Sequence, residues 1–169
     1  MYVLGIDPGL SGAFVLLAPD RTIRHASDMP VSRAYKGQLD QAATALMFEA
    51  FSDYSPACVL ENVNGRPRQS APAAFNFGHL AGSLYALAHV YFGRVELVTP
   101  QKWKGALRVQ GKRSSAMDGD GDKGRAIVEA ADREFPEYKA LFRGPRGGLK
   151  VDVAEAALIA LWGHRTFRG

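Results

Sequence analysis

Residues 2–7, opening with Tyr2 and closing on Asp7, form an apolar run that reads as a buried strand. The turn formers Pro8, Gly9, Ser11 and Gly12 follow and set up a hairpin into a second apolar run at 13–18. A third strand is expected at 22–27, where apolar and polar positions alternate loosely around Ile23. The pattern then changes to a helical period, with Leu39, Ala42, Ala43, Leu46, Met47, Ala50 and Phe51 on one predicted face. Residues 57–63 return to strand composition but carry Glu61, and the polar, basic stretch 64–70 follows. The Ala-rich segment 73–91, with Phe75, Phe77, Leu80, Leu84 and Leu87, predicts a largely buried helix in which Gly78 and Gly82 admit a close neighbour.

A short strand at 94–99 leads into a helix that Thr99 caps and Pro100 opens. Gly, Ser and Asp dominate 111–122, which predicts an irregular loop. Helical pattern resumes at 123–135, a Gly- and Arg-rich loop is expected over 136–150, and a helix at 151–163 follows. Two hairpin-linked strands followed by strands that need helical crossovers make an α/β fold with a mixed sheet flanked by helices.

With 169 residues, 47% of them hydrophobic, the chain is expected to close one core, so residues 1–169 are read as a single domain. It has no apolar run of 18 residues and no signal-like start, so neither a membrane nor export is expected and a cytoplasmic setting is. Cys58 sits in an apolar run, where a thiol behaves as a small hydrophobe rather than a nucleophile. His25, His79, His89 and His164 have no paired ligand spacing and are read as packing or surface residues.

The net charge is +4, and the cations cluster. Lys102, Lys104, Arg108, Lys112 and Arg113 fall between positions 97 and 117 with no acid among them. Arg143, Arg146, Lys150, Arg165 and Arg168 form a second set. A solvated surface and a phosphate-tracking patch both fit such clusters.

The acids carry more specific chemistry. Asp7 ends the first strand and Glu61 lies near the end of a later one, so parallel neighbours would bring both carboxylates to one sheet edge. Asp152 and Glu155, three apart, share one helix face. Four carboxylates at one point need cations, and an all-oxygen ligand set suits Mg²⁺ or Mn²⁺. Two such ions about 3.5–4 Å apart would activate a water and steady the leaving oxygen at phosphorus, as in a nuclease. Taken singly, Asp7 before Pro8 also serves as a turn organiser and Asp152 as a helix cap. Glu61 has no such reading, because an unpaired glutamate inside a buried strand costs several kcal/mol.

Gly5-Ile-Asp7-Pro-Gly9, the strand-borne Glu61, and Asp152-Val-Ala-Glu155 resemble, in order, the RuvC-type Holliday junction resolvases. The stretch from Glu61 through Arg66, Arg68 and Ser70, then Phe75-Asn-Phe-Gly78 and Thr99-Pro-Gln-Lys-Trp-Lys104, is similar to the RuvC-like nucleases of bacteriophages. The resemblance implies an RNase H-like fold with a five-stranded sheet, a homodimer with two active sites, and Mg²⁺-assisted paired nicking of four-way or other branched DNA. It further implies that Asp7, Glu61, Asp152 and Glu155 hold two metal ions, that Lys104 and Lys123 lie near the scissile phosphates, and that Arg66 and Arg68 approach DNA near the crossover. Lys102, Lys112 and Arg113 extend that basic surface. Two positions depart from the bacterial pattern: Asn64 replaces an aromatic residue that helps open the junction, and Glu155 replaces an aspartate.

Other readings are weaker. Asp118, Asp120, Asp122 and Glu129 take four ligand positions of an EF-hand loop, but Lys123 stands where that loop needs glycine. Kinases of the actin type need two such domains, and no G-x-x-x-x-G-K-[ST] loop is present. A catalytically silent branched-DNA-binding module and a general flap or fork nuclease are the remaining alternatives. Phe75 and Phe77 are read either as base-stacking groups or as core and interface residues. Trp103 is left open.

Overall fold

In the computed structural model, which describes residues 1–34, 37–63, 70–109 and 121–167, five strands form one sheet in the order β3-β2-β1-β4-β5. The expected hairpins are β1 (Val3–Asp7), β2 (Ala13–Leu17) and β3 (Ile23–Asp28), paired antiparallel. After helix α1 (Gln41–Ser52), strand β4 (Ala57–Glu61) pairs parallel with β1. Helix α2 (Ala71–Tyr91) then leads to β5 (Arg94–Val98), parallel to β4. Helices α3 (Pro100–Ala106), α4 (Gly121–Glu134) and α5 (Val151–Thr166) complete the set.

Strand alternation divides the core in two. Leu4, Ile6, Phe14, Leu16, Cys58 and Leu60 face α1 and α2 and pack on Phe48, Phe51, Leu80 and Leu84. Val3, Val15, Leu17 and Val59 face the other way, onto α4 and α5. Between Glu155 and His164 helix α5 is apolar all round, and Ala154 and Ala156 to Leu161 are fully enclosed, as expected of a helix inside the core rather than on it. A Cβ at Gly5 would lie 2.2 Å from the Ala156 carbonyl oxygen and 2.5 Å from the Ala160 amide nitrogen. Only glycine lets α5 approach β1 this closely, and that crossing places the first turn of α5 beside the end of β1.

Four expectations change. Residues 136–150 are not all loop: Pro136–Phe142 is a 3-10 helix, opened by its proline and held down by buried Phe142. In α1 the buried positions are Thr44, Phe48 and Phe51, whereas Leu46 is 67% exposed. Alanines on all sides blur the apolar stripe, and Phe48, edge-on to Phe14 at 5.5 Å, decides the face. Helix α2 buries only Leu80, Leu84 and Ala88. Nothing lies within 4 Å of a Cβ at Gly78 or Gly82, so no neighbour within the described chain uses them.

Candidate active site

Residues Asp28, Ala13 and Asp7 lie side by side across β3, β2 and β1. Ile6 pairs with Leu60, which brings Asp7 next to Glu61, and Glu61 pairs with Val98 of β5. Asp7 and Glu61 therefore end neighbouring parallel strands on the face covered by α5, and both are 7% exposed. Asp152 and Glu155 come down from the first turns of α5 onto the same spot. Lys150, not Asp152, is the helix cap, so the Asp152 carboxylate is not spent on capping. It accepts instead from Ser11 Oγ at 3.3 Å. The four acids line one cavity of about 580 Å³, together with Ser11, Phe77, Thr99 and Lys104.

Helix α3 supplies the donors. It starts as its sequence predicts, with Thr99 Oγ1 accepting from the Lys102 amide and Pro100 in the first turn. Trp103 Nε1 donates to Glu61 Oε1 at 2.7 Å inside the core. Lys104 Nζ donates to Glu155 Oε1 at 2.8 Å, 4.9 Å from the Trp103 ring centre. Trp103, which the sequence left open, is bound to one of the four acids. Its signal was an indole inside a short capped helix next to a cation, which does not reveal its partner 42 residues away.

Burial, and then the charges of Glu155, Glu61 and Asp152, hold the Asp7 carboxyl well above the ordinary aspartate range, with Lys104 opposing. Because the folded protein binds this proton more tightly than the unfolded chain, Asp7 favours the fold in acid. That contribution fades as pH rises from about 3.9 through the raised native value. In EDTA at neutral pH, Asp7→Asn should therefore melt above the unsubstituted protein, and the gap should close as pH falls towards 4. Identical melting profiles across pH 4–8 would contradict this account of the pocket.

No family model matches the chain, and no curated protein matches it in sequence. Solved structures do. RuvC of T. thermophilus in complex with a Holliday junction substrate superposes with a TM-score of 0.65 at 17% identity, over 100% of this chain and 97% of that one. A second structure of Thermus thermophilus RuvC matches at 0.63 and 18%, over 99% and 97%. The yeast mitochondrial Holliday junction resolvase Ydc2 matches at 0.59 and 18%, over 96% and 77%. This chain has the RNase H-like fold. The likeness is one of fold, and it extends over almost the full length of both RuvC chains.

On that fold the structure brings Asp7, Glu61, Asp152, Glu155 and Lys104 together and leaves other predicted site residues apart. Lys102 points away from the cavity, its Nζ 5.0 Å from the ring centre of Trp162. Lys123 is exposed in the first turn of α4, whose Gly124 abuts Val151 at the start of α5. Arg66, Arg68, Asn64, Lys112, Arg113, Asp118, Asp120 and Arg168 lie outside the described residues. Phe77 lines the cavity, while Phe75 is 75% exposed and stacks near His79, so it is not core. Cys58 is fully buried and burial pushes its thiol up, which suits an inert core residue. His164 is buried with Nε2 3.1 Å from the Pro19 carbonyl oxygen. No described helix is long and apolar enough to cross a membrane.

The oxygen-only donor set and an acid pushed towards protonation by burial and by its acidic neighbours fit a divalent cation, which would relieve the repulsion. Among the described residues, however, no three acidic, histidine or cysteine side chains stand as a ready-made ligand group. Glu61 and Glu155 are turned to Trp103 and Lys104 instead.

Proposed function

We propose that this protein is a metal-dependent endonuclease that resolves Holliday junctions or other branched DNA. One observation carries the reading: carboxylates from β1, β4 and α5 share one cavity, on a fold that solved Holliday junction resolvases also have. Asp7, Glu61, Asp152 and Glu155 would hold two Mg²⁺ ions, with Mn²⁺ able to replace them. Bound there, the ions would supply an activated water and charge neutralisation at phosphorus.

The chain's own groups do the rest. Trp103 fixes the Glu61 carboxylate and Ser11 contacts Asp152, so these ligands are oriented in advance. Lys104 places a cation at the mouth of the acids, where it balances Glu155 and can meet a phosphate. Lys123 and the basic residues Arg66, Arg68, Lys112 and Arg113 would follow the backbone. Lys102, pinned over Trp162, would meet an arm farther from the cut.

The reading is tested by Mg²⁺-dependent cleavage of matched four-way, three-way, flap and linear duplexes. Paired symmetric nicks confined to the four-way junction establish a resolvase, and equal cutting of all branched forms makes it a general debranching enzyme. Binding of branched DNA without any metal-dependent cutting leaves the silent-module reading. Trp103→Phe keeps the ring and loses the N–H, so it should require roughly 10- to 100-fold more Mg²⁺ for half-maximal cutting. An unchanged metal titration would remove Trp103 from the site.

Paired nicking also needs two cavities, and α2 offers a surface for a second copy. Phe75 and Val90, both 75% exposed, lie about 60° apart around the helix, and Gly82, midway along the helix between them and about 20° to the far side of Phe75, has open space in front of it. A second α2 packing there would use the close approach that Gly78 and Gly82 permit. Sedimentation should give a dimer that Val90→Glu converts to monomers, and a wild-type monomer at micromolar concentration would refute this arrangement.

A further inference from the structure

Of the cations between residues 143 and 165, three are held within the chain. Arg143 reaches both carboxylate oxygens of Asp132 and the Lys139 carbonyl, Lys150 pairs with Asp28 at 3.2 Å, and Arg165 pairs with Glu134 at 2.6 Å. Arg146 has no hydrogen bond or ion pair among the described residues. It stands at the tip of a small hairpin. Arg143 and Leu149 form an antiparallel bridge, the Gly144 amide donates to the Gly148 carbonyl at 2.7 Å, and the Gly147 amide donates to the Gly144 carbonyl at 2.9 Å. Pro145 and Arg146 thus occupy the middle of a tight turn that Gly147, at φ +78°, completes.

The base of this hairpin is fixed and its tip is bare. Lys150 donates its amide to the carbonyl of buried Phe142, and the Arg143–Asp132 pair ties the other strand to α4. Residues 145–149 are all exposed, and nothing lies within 4 Å of a Cβ at Gly147 or Gly148. Lys150 fastens the hairpin to Asp28, which lies in the same row across the sheet as Ala13 and Asp7. Two strand spacings, about 10 Å, separate Asp28 from Asp7. The acid cavity is therefore flanked by α3 on the β5 side and by this hairpin on the β3 side.

We infer that the hairpin tip enters the minor groove of the duplex arm beside the cut, with Arg146 inserted between the strands. This rests on the nuclease reading above. A phosphate held at the acids borders a groove, so a probe anchored about 10 Å away reaches that groove without moving the body of the protein. The minor groove is only about 6 Å wide, and a turn whose inserted residue is followed by two glycines is narrow enough to approach it. The planar guanidinium suits the negative potential there, which is deepest where A·T tracts narrow the groove. Fixing Arg143 and Lys150 internally means that Arg146 is presented on a rigid base, so little ordering is needed on binding.

The test uses the full chain carrying Asp7→Asn, so that binding is read without cutting, and four-way junctions whose arms next to the crossover are A·T-rich or G·C-rich. Adding Arg146→Ala should weaken binding of the A·T-rich junction about tenfold and of the G·C-rich one less. Arg146→Lys should recover only part of the loss, because an ammonium restores charge but not the flat insertion. Melting temperature should not change, since the tip packs on nothing. Equal affinities with and without Arg146→Ala, or full recovery by Arg146→Lys on both junctions, overturn groove insertion while leaving the nuclease reading in place. If the Asp7→Asn protein binds no branched DNA at all, the nuclease reading fails, and this inference with it.

Discussion

Asp7→Asn should reduce metal-dependent cleavage of branched DNA by about three orders of magnitude or more while leaving binding of the same DNA within a few-fold of wild type. Asp7 is the central member of the set: it adjoins Glu61 across the β1/β4 pair, and Glu155, Glu61 and Asp152 all raise its proton affinity. An amide in its place removes the charge that draws in a divalent ion. It changes little that DNA would touch, because the side chain is 7% exposed at the base of the cavity. Cleavage assays under single-turnover conditions, paired with binding in Ca²⁺, separate the two quantities. A variant that still cuts at the wild-type rate would rule out the carboxylate site.

The largest effect on stability is expected at a residue that touches no substrate. In Gly5→Ala the new methyl would fall 2.2 Å from the Ala156 carbonyl oxygen and 2.5 Å from the Ala160 amide. Both are backbone atoms in a buried helix and cannot turn aside as a side chain could, so α5 must move off the sheet. The cost should be about 3 kcal/mol or more, a fall in melting temperature of roughly 10 °C. Any protein that does fold should cut poorly, because Asp152 and Glu155 travel with α5 while Asp7 and Glu61 stay with the sheet. Gly105→Ala is the control: nothing lies within 4 Å of its Cβ in α3, so it should be neutral or slightly stabilising. Equal stability of the two variants would show that the close approach of α5 to β1 does not matter.

The sheet was legible because its strands are short apolar or alternating segments bounded by Pro, Gly and Asp, and all five segments form strands. The caps at Thr99 and Pro100 were legible for the same local reason. Glu61 stood out because it is a charge inside an apolar strand, a conflict visible in one dimension, whereas Asp7, Asp152 and Glu155 stood out by their places at a strand end and on one helix face and by the order they share with the resolvases. What the sequence did not show depends on which of two apolar faces finds a partner. Helix α2 has enough alanine and aromatic residues to read as buried, yet it presents Phe75 and Val90 outward, because the sheet beneath it needs only Leu80, Leu84 and Ala88. The Trp103–Glu61 bond and the internal pairing of Lys150 and Arg165 join residues far apart in the chain, and no local pattern records them. Basic clusters look alike whether they are paired or not.

Helix α5 also sets a condition on when the protein can act. Half of the acid set belongs to strands made early, and the other half to a helix translated long after them that fills the middle of one core. A growing chain that stops short of α5 has Asp7 and Glu61 on a sheet face that lacks its main cover. Chain elongation at roughly 5–20 residues per second leaves seconds in which that face is only partly covered and the acid set is incomplete. For the nuclease proposed above, this topology would be a safeguard: a chain without α5 lacks half of the acid set, because the helix that completes the core also completes the cavity.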